Sequence, residues 1–271
     1  MIIAYTRAAS PALAHCELTH LARQPLDVEA AAREHEAYEA LLRCLGAEVR
    51  RLPATPDLPD SVFVEDTAVV LDEIAVITRP GAVSRRDETA STAAALAVHR
   101  PLGHIEQPGT LDGGDVLVIG RRVYVGRSSR TNDAAIGQLE RLLQPLGYTV
   151  LPVEFTGCLH LKSCVTQVAE DLVLLNPASV GAEVFTGCRA ITVDPAEPLA
   201  GNALMLGGSV IHPEHFPGTG SRLVAAGLRV LPVAMKELAK AEAGVTCCSL
   251  LFRSGWRRVH ARASKHAVIA Q

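Results

Sequence analysis

Apolar and polar residues alternate along the chain in two periods, which predict helices separated by pairs of strands. The stretch from 27 to 46 has apolar positions at steps of three and four, beginning at Val28 and ending at Leu45. Asp27 is suited to cap the start of this amphipathic helix, and Gly46 is suited to end it. Similar spacing predicts further helices over residues 86 to 99, 132 to 146, 220 to 227 and 235 to 242.

A short pattern of polar turn, apolar strand, tight turn and second apolar strand occurs five times. Its copies are DTAVVLDEIAVITRPG, GDVLVIGRRVYVG, SCVTQVAEDLVLLNP, NALMLGGSVIHP and CCSLLF, and the last copy has the N-terminal MIIAYTR as a possible partner. Markers at the entrances stand 46, 48, 42 and 45 residues apart; they are Asp66, Asp112, His160, Asn202 and Cys247. Such a spacing indicates a repeat architecture, and five units favour a closed ring. A ring would bring the entrance residues of all units around one central pocket.

The entrance positions include an imidazole, which a cysteine nucleophile needs nearby. His160 is the best candidate because it stands at a strand entrance. Other histidines are predicted elsewhere, on helices for His35 and His99 and in a loop for His104. Asp112 is suited to orient the ring of His160, as the third member of a catalytic triad does.

Two adjacent cysteines stand in the last copy of the pattern, in GVTCCSLLF. If both residues are extended, Cys247 and Cys248 face opposite sides, so at most one of them points into the pocket. The other is expected in the core. The period alone does not say which thiol faces the pocket.

Charged residues near the strand entrances indicate what the pocket binds. Asp60, Glu65 and Asp66 form a dense acidic group, suited to hold a cation through charge-assisted hydrogen bonds. Arg85 and Arg130 stand in loops after second strands and are suited to clamp a carboxylate. Acid at one end and arginine at the other fit a zwitterion, such as an amino acid with a cationic side chain. The alternative is a solvated charged surface.

The composition narrows the class of protein. The chain has 271 residues, of which 48% are hydrophobic, and a formal net charge of −3 with both signs interspersed. The chain is therefore long enough for one large domain or two small ones, and we expect neither nucleic acid nor an anionic membrane as partner. No apolar run approaches the ~20 residues of a membrane helix. Seven cysteines without disulfide spacing predict reduced thiols, and we expect a cytoplasmic monomer or homodimer.

Six segments, taken together and in order, resemble the signature segments of the dimethylarginine dimethylaminohydrolases. They are FVEDTAVV, ITRPGAVSRR, GTLDGGDVL, GRSSRTN, LHLKS and GVTCCSL, and the likeness covers roughly residues 1 to 252. These enzymes belong to the guanidine-modifying superfamily. The resemblance implies the α/β pentein fold, a five-fold pseudosymmetric propeller built from ββαβ-like repeats. It also implies a single catalytic domain over residues 1 to 253 that binds a small-molecule substrate.

The resemblance also implies an activity and a role for each site residue. It implies hydrolysis of Nω-methylated arginine to citrulline and methylamine or dimethylamine through a covalent thiouronium, with no metal and no organic cofactor. Cys247 would be the nucleophile, His160 the general acid and base, and Asp112 the orienting carboxylate. The implied substrate contacts are Glu65 and Asp66 on the guanidinium, Arg85 and Arg130 on the α-carboxylate, Asp60 and Leu18 in the pocket lining, and the backbone of Ala241.

Three features depart from the family pattern. The orienting residue is Asp112, where some bacterial relatives carry Glu. Residues 241 to 243 read AEA, where the family more often has a larger aliphatic residue followed by Asp-Gly, so the lid over the amino-acid end is expected to differ. The basic segment 254 to 271 extends past the family's usual end, and we expect it to be mobile and solvated; it contains Arg257, Arg258, Arg262 and Lys265.

Three other functions fit parts of the sequence. An arginine or agmatine deiminase would share the Cys, His and carboxylate groups, but the chain lacks the helical insertion expected of arginine deiminases. A metal hydrolase could use Cys158, His160 and Cys164, or the histidines of HPEH, although neither CxxC pairs nor HExxH are present. A non-catalytic binding module on the same fold would need no pocket thiol. No GxGxxG follows a strand, so dinucleotide binding has no support.

Overall fold

The strands of the computed structural model, which describes residues 1–255, form five separate three-stranded sheets. In chain order the strands are β1 (Ile2–Thr6), β2 (Ala47–Arg51), β3 (Ala68–Val70), β4 (Ala75–Ile77), β5 (Leu102–His104), β6 (Val116–Ile119), β7 (Arg122–Gly126), β8 (Thr149–Val153), β9 (Val165–Ala169), β10 (Leu172–Leu175), β11 (Arg189–Thr192), β12 (Leu204–Leu206), β13 (Ser209–Pro213), β14 (Val230–Val233) and β15 (Leu250–Arg253). The sheets are β15-β1-β2, β3-β4-β5, β6-β7-β8, β9-β10-β11 and β12-β13-β14.

Every sheet has the same pairing. The first two strands are antiparallel, and the third runs parallel to the second. A parallel pair requires a crossover, and in four sheets a helix supplies it. The helices are α1 (Val28–Cys44), α2 (Thr89–Ala97), α3 (Asp133–Leu143), α4 (Leu161–Cys164), α5 (Pro217–Ala225) and α6 (Lys236–Ala239). Of these, α4 and α6 are single turns outside the crossovers. In the fifth sheet, the crossover from β10 to β11 contains only a 3₁₀ turn, Ala182–Val184. The predicted ββαβ units are confirmed.

The five inner strands surround a central axis. Residues of β3, β6, β9, β12 and β15 line one cavity of about 270 Å³. The ring closes where the two ends of the chain meet, because β15 pairs with β1 and places Phe252 opposite Ile3. The predicted partnership of the last copy with the N-terminus is therefore confirmed.

The predicted helices are present, with bounds that differ at the short ones. Asp27 caps α1 as predicted, its side chain accepting a hydrogen bond from Ala30 N at 2.9 Å. The region predicted as one helix over 86 to 99 is a 3₁₀ helix (Val83–Glu88) followed by α2, and the one predicted over 235 to 242 keeps only the four residues of α6. His99 lies just past α2, and His104 ends strand β5 instead of lying in a loop.

The two adjacent cysteines precede the last strand. Residues 245–248 form a turn and β15 begins at Leu250, so the condition that both cysteines are extended is not met. Cys248 is fully buried with Tyr38 of α1 in one apolar cluster. The hydroxyl of Tyr38 is 2.7 Å from Ser249 Oγ, which fixes this turn against α1.

Residues 256–271, which hold most of the basic segment expected to be mobile, lie outside the described part of the chain. The division into a domain over 1 to 253 and a tail stays a prediction. Among the described helices, none combines the length and the apolar character needed to cross a membrane.

Candidate active site

A pocket at one end of the ring axis collects residues from distant parts of the chain; we call it the central pocket. It brings together seven of the ten predicted site residues. Its lining consists of Glu17, Asp60, Phe63, Asp66, Arg85, Arg130, Leu159, His160, Ala241, Glu242, Ala243 and Cys247.

His160 is paired with Asp112 behind the pocket wall. His160 stands just before α4, and its Nε2 lies 3.0 Å from Oδ2 of the fully buried Asp112. The other carboxylate oxygen of Asp112 accepts a hydrogen bond from Gly81 N at 2.9 Å. Burial would lower the pKa of His160, but the negative charges of Asp66, Asp115 and Asp112 outweigh burial and raise the pKa to about 9. The ring is therefore an imidazolium at neutral pH.

Asp115 fixes the backbone next to His160, although sequence reasoning did not single it out. Its carboxylate accepts hydrogen bonds from Leu161 N at 3.0 Å and from the hydroxyls of Ser128 and Thr131 at 2.6 Å each. Because Asp115 is fully buried, its pKa is raised to about 6 in spite of these donors. The residue ties the segment that carries His160 to the loop that carries Arg130.

Asp66 provides a fixed negative charge inside the central pocket. Its Oδ1 accepts from Gly114 N at 2.9 Å and lies 3.9 Å from His160 Nδ1, and its Oδ2 accepts from Arg85 Nη1 at 2.5 Å. Burial would raise the pKa of Asp66, but the charges of His160 and Arg85 outweigh it and lower the pKa to about 2. A carboxylate in this state accepts hydrogen bonds from a cation.

The second glycine of the TLDGGD segment, Gly114, lies where two neighbouring side chains leave no room for a β-carbon. A β-carbon at this position would lie 2.6 Å from His160 Nδ1 and 2.9 Å from Asp66 Oδ1, closer than real β-carbons approach. The glycine therefore allows the imidazole and the carboxylate to lie side by side.

The two arginines of the pocket differ in how many partners their guanidinium groups already have. Arg85 is buried and binds both carboxylate oxygens of Glu88, through Nε at 3.1 Å and Nη2 at 2.9 Å, in addition to Asp66. Arg130 donates from Nη2 to Thr19 Oγ1 at 3.1 Å and has no ion pair among residues 1–255. Arg130 is thus the cation that is free to bind a carboxylate.

Cys247 is the thiol that faces the central pocket. It is half-buried, and its Sγ accepts a hydrogen bond from Gly244 N at 3.4 Å. Burial and the carboxylates of Glu65 and Asp66 raise the pKa of Cys247 to about 12. Cys247 is therefore a neutral thiol at neutral pH. Cys248 lies in the core, which resolves the choice that the sequence period left open.

Two predicted lining residues do not line this pocket. The carboxylate of Glu65 accepts from Lys162 Nζ at 2.5 Å and Thr246 Oγ1 at 2.8 Å, and all three residues line the cavity between the inner strands. The half-buried side chain of Leu18 packs against the apolar cluster that contains Cys248. Asp60, Asp66, Arg85, Arg130 and Ala241 are found in the lining. The roles of all these residues toward a bound substrate stay predictions.

Potential metal ligands of the described residues converge only at this site. Donor atoms of Asp66, Asp112 and His160 lie within 4.8 Å of one another. Each already has a partner, and the positive charge of His160 opposes a cation there. Over residues 1–255, Cys158 and the histidines of HPEH join no such group; His212 bonds Ala200 O instead. The expectation of no metal and no organic cofactor stays a prediction.

Comparison with known proteins decides the family. A family model described as N,N dimethylarginine dimethylhydrolase, eukaryotic, matches residues 20–184. An N(G),N(G)-dimethylarginine dimethylaminohydrolase of Streptomyces coelicolor is 39% identical over 253 residues, which cover 92% of this chain and 96% of the relative. The chain belongs to the dimethylarginine dimethylaminohydrolase family. The resemblance carried by the six sequence segments is confirmed.

Solved structures confirm the pentein fold for this member of the dimethylarginine dimethylaminohydrolase family. The Pseudomonas aeruginosa enzyme, as a Cys-to-Ser variant complexed with citrulline, superimposes with a TM-score of 0.86 at 31% identity and covers 92% of this chain and 98% of its own. The N-terminal domain of a cyanobacterial arginine dihydrolase gives a TM-score of 0.80 at 17% identity, covering 93% and 98% of the two chains. The second likeness shows the shared fold alone.

Proposed function

We propose that the protein hydrolyses the guanidinium of Nω-methylated arginine, giving citrulline and methylamine or dimethylamine. The observation that carries the proposal is the arrangement of Cys247, Asp66 and the His160–Asp112 pair around one pocket that also holds the free Arg130. Family membership and the citrulline bound to the Pseudomonas aeruginosa relative support the same substrate class.

Substrate binding would use the two ends of the central pocket. The ionised Asp66 would accept hydrogen bonds from the guanidinium, and Asp60 would serve the α-amino group together with the backbone of Ala241. Arg130 would bind the α-carboxylate, because Arg85 is already held by Asp66 and Glu88. Fixing both ends positions the guanidinium carbon for attack.

The guanidinium would activate the nucleophile as it binds. The pKa of Cys247 is high because of burial and of negative charges nearby, so a bound cation lowers it and the thiol releases its proton to solvent. The thiolate then adds to the guanidinium carbon and forms a neutral tetrahedral adduct. No metal or organic cofactor takes part in this step.

His160 would move the protons of the two later steps. Its Nε2 is bonded to Asp112, so Nδ1 is the ring atom that faces the substrate. The imidazolium donates a proton to the departing nitrogen, the amine leaves neutral, and the carbon stays bound to sulfur as a thiouronium. Neutral His160 then accepts a proton from water, the hydroxide adds to the carbon, and the C–S bond breaks to give citrulline. As the C–S bond breaks, the proton of the adduct hydroxyl passes to the sulfur and restores the thiol. The proton that Cys247 first released to solvent is the one that the free amine takes up to become an ammonium ion.

A side-by-side assay tests the substrate class. We expect turnover of asymmetric dimethylarginine and monomethylarginine to exceed that of arginine and agmatine. Faster turnover of arginine would instead identify a deiminase, and absence of turnover with all four would favour a binding module.

We infer a cytoplasmic location from the cysteines. All seven are free thiols, which is typical of proteins kept in a reducing compartment. A monomer or homodimer without a nucleic-acid partner stays our expectation. Gel filtration with light scattering checks the oligomeric state, and fractionation of the source cell checks the location.

A further inference from the structure

The segment 17–21 borders the central pocket and is fixed at several points; we call it the lid segment. Glu17 N donates to both carboxylate oxygens of Asp60 at 3.2 and 3.1 Å, and Glu17 Oε1 accepts from Ser84 Oγ at 2.6 Å. Thr19 Oγ1 accepts from Arg130 Nη2 at 3.1 Å. The lid segment is thus bonded to two of the residues proposed to hold the amino-acid end of the substrate.

One carboxylate fixes the far end of the lid segment. Glu242 accepts hydrogen bonds from three consecutive backbone N–H groups, those of Thr19 at 3.1 Å, His20 at 2.5 Å and Leu21 at 2.5 Å. Successive N–H groups that converge on one anion form a strong, charge-assisted contact. Glu242 lies 221 to 223 positions away in sequence, so this contact exists only in the folded chain.

The backbone at Glu242 is held in an unusual conformation. Its φ of 58° is the one positive value among the non-glycine residues that the structure describes. A side chain in this left-handed region is strained and persists only where its surroundings hold it. Glu242 also lines the central pocket between Ala241 and Ala243. The strained residue therefore joins the pocket wall to the lid segment.

We propose that Glu242 is a positioning residue that latches the lid segment, so that Thr19 keeps Arg130 aimed at the substrate's α-carboxylate. The inference rests on the proposed function and extends it to substrate selection. A latch of this kind favours guanidines that carry an α-carboxylate. It has little effect on a guanidine that has no group for Arg130 to bind.

Two variants separate the latch from a structural role. Glu242→Gly removes the carboxylate and also relieves the positive φ, so it leaves no added backbone strain. Glu242→Gln keeps the length and one neutral acceptor. Glu140→Gln, an exposed position on α3, is the matched control for loss of a surface charge.

Hydrogen exchange of the lid amides, measured without substrate, reads the latch directly. In Glu242→Gly we expect the Thr19, His20 and Leu21 amides to exchange about tenfold faster or more, the factor for losing a charged hydrogen bond. Glu242→Gln should be intermediate, and Glu140→Gln should match the parent. Unchanged exchange in Glu242→Gly would overturn the latch.

Kinetics then test positioning with two ligands, asymmetric dimethylarginine and its decarboxylated analogue dimethylagmatine. In Glu242→Gly we expect KM for dimethylarginine to rise about tenfold, while kcat stays within about twofold of the parent's. The KM of dimethylagmatine, or its inhibition constant if it acts only as a competitive inhibitor, should be unchanged. Thr19→Ala should reproduce the KM effect. Equal losses with both ligands, or faster exchange with an unchanged KM, would overturn the proposal. If the parent itself makes no citrulline, the proposed function fails, whereas the exchange result still decides the latch.

Discussion

His160 Nε2 lies 3.0 Å from Asp112 Oδ2, although the two residues are 48 positions apart in sequence. They enter neighbouring units of the ring, so the repeat architecture brings them together. The carboxylate of Asp112 reaches the imidazole directly. This contact fixes the ring and supports its positive charge.

Replacing Asp112 by Asn should weaken the proton donor. The variant removes one of the negative charges that hold the pKa of His160 at about 9, so that pKa should fall. We expect a loss in kcat of roughly 100-fold, at the low end of what general acid catalysis contributes, and an alkaline limb of the pH–rate profile shifted to lower pH. Asp112→Glu keeps the charge and should recover part of the rate. A profile that does not move would show that Asp112 leaves the proton donor unaffected.

The folding stability should depend on pH through His160. Its pKa of about 9 in the folded protein lies above the usual value of 6.5. The stabilisation is therefore fully present below about pH 6.5 and is lost as the pH rises through about 9, on the order of 3 kcal/mol. Denaturant midpoints across this range should fall for the parent and fall less for His160→Asn. Parallel curves for the two proteins would contradict the assignment.

The adjacent cysteines should respond differently to substitution. Cys247→Ser should abolish turnover, because the thiol lines the pocket and a hydroxyl is a much weaker nucleophile. Cys248→Ala should keep most of the activity and lose about 1 kcal/mol of unfolding free energy from the core. Both are checked by citrulline assay and denaturant titration. Equal loss of activity in the two variants would mean that the wrong thiol was chosen.

Alkylation should reveal that Cys247 needs a cation. Because burial and nearby carboxylates raise its pKa to about 12, a neutral chloroacetamide should label it slowly at neutral pH. A chloroacetamidine carries the charge that Asp66 binds, so it should label faster and stoichiometrically. Peptide mapping locates the label, with Cys247→Ser as the control. Equal rates for the two reagents would argue against activation by the bound cation.

Substitutions of the two arginines should affect different properties, the unfolding free energy at Arg85 and substrate binding at Arg130. Arg85→Ala leaves Asp66 and Glu88 buried without their cation and should cost about 3–5 kcal/mol of unfolding free energy. Arg130→Ala should change stability little and raise KM for methylarginine. Thermal melting and kinetics distinguish the two. A large stability loss at Arg130 with an unchanged KM would remove its proposed role.

Sequence patterns predicted the features that repeat or that depend on nearby residues. The amphipathic α1 and the five strand pairs follow from local periodicity, and the ring then places Asp66, His160 and Cys247 at one end of its axis. The direction of a side chain inside a turn has no such signal. Glu65 and Asp66 are adjacent on one 3₁₀ turn, yet Glu65 lines the cavity between the inner strands and Asp66 lines the central pocket.

Contacts between distant segments were equally hidden from the sequence. The bond between Glu242 and the lid segment joins residues more than 200 positions apart, and nothing local to either segment indicates it. Residues 245–248 form a turn, so strand alternation does not apply to the two thiols. In both cases tertiary packing, which a single sequence does not display, decides the geometry.

The proposed function requires Cys247 and His160 to act together on a methylated guanidinium. It is tested most directly by incubating the protein with asymmetric dimethylarginine and measuring citrulline and dimethylamine, with Cys247→Ser alongside. We expect equal amounts of both products from the parent and none from the variant. Citrulline made at the parent's rate by Cys247→Ser would contradict it.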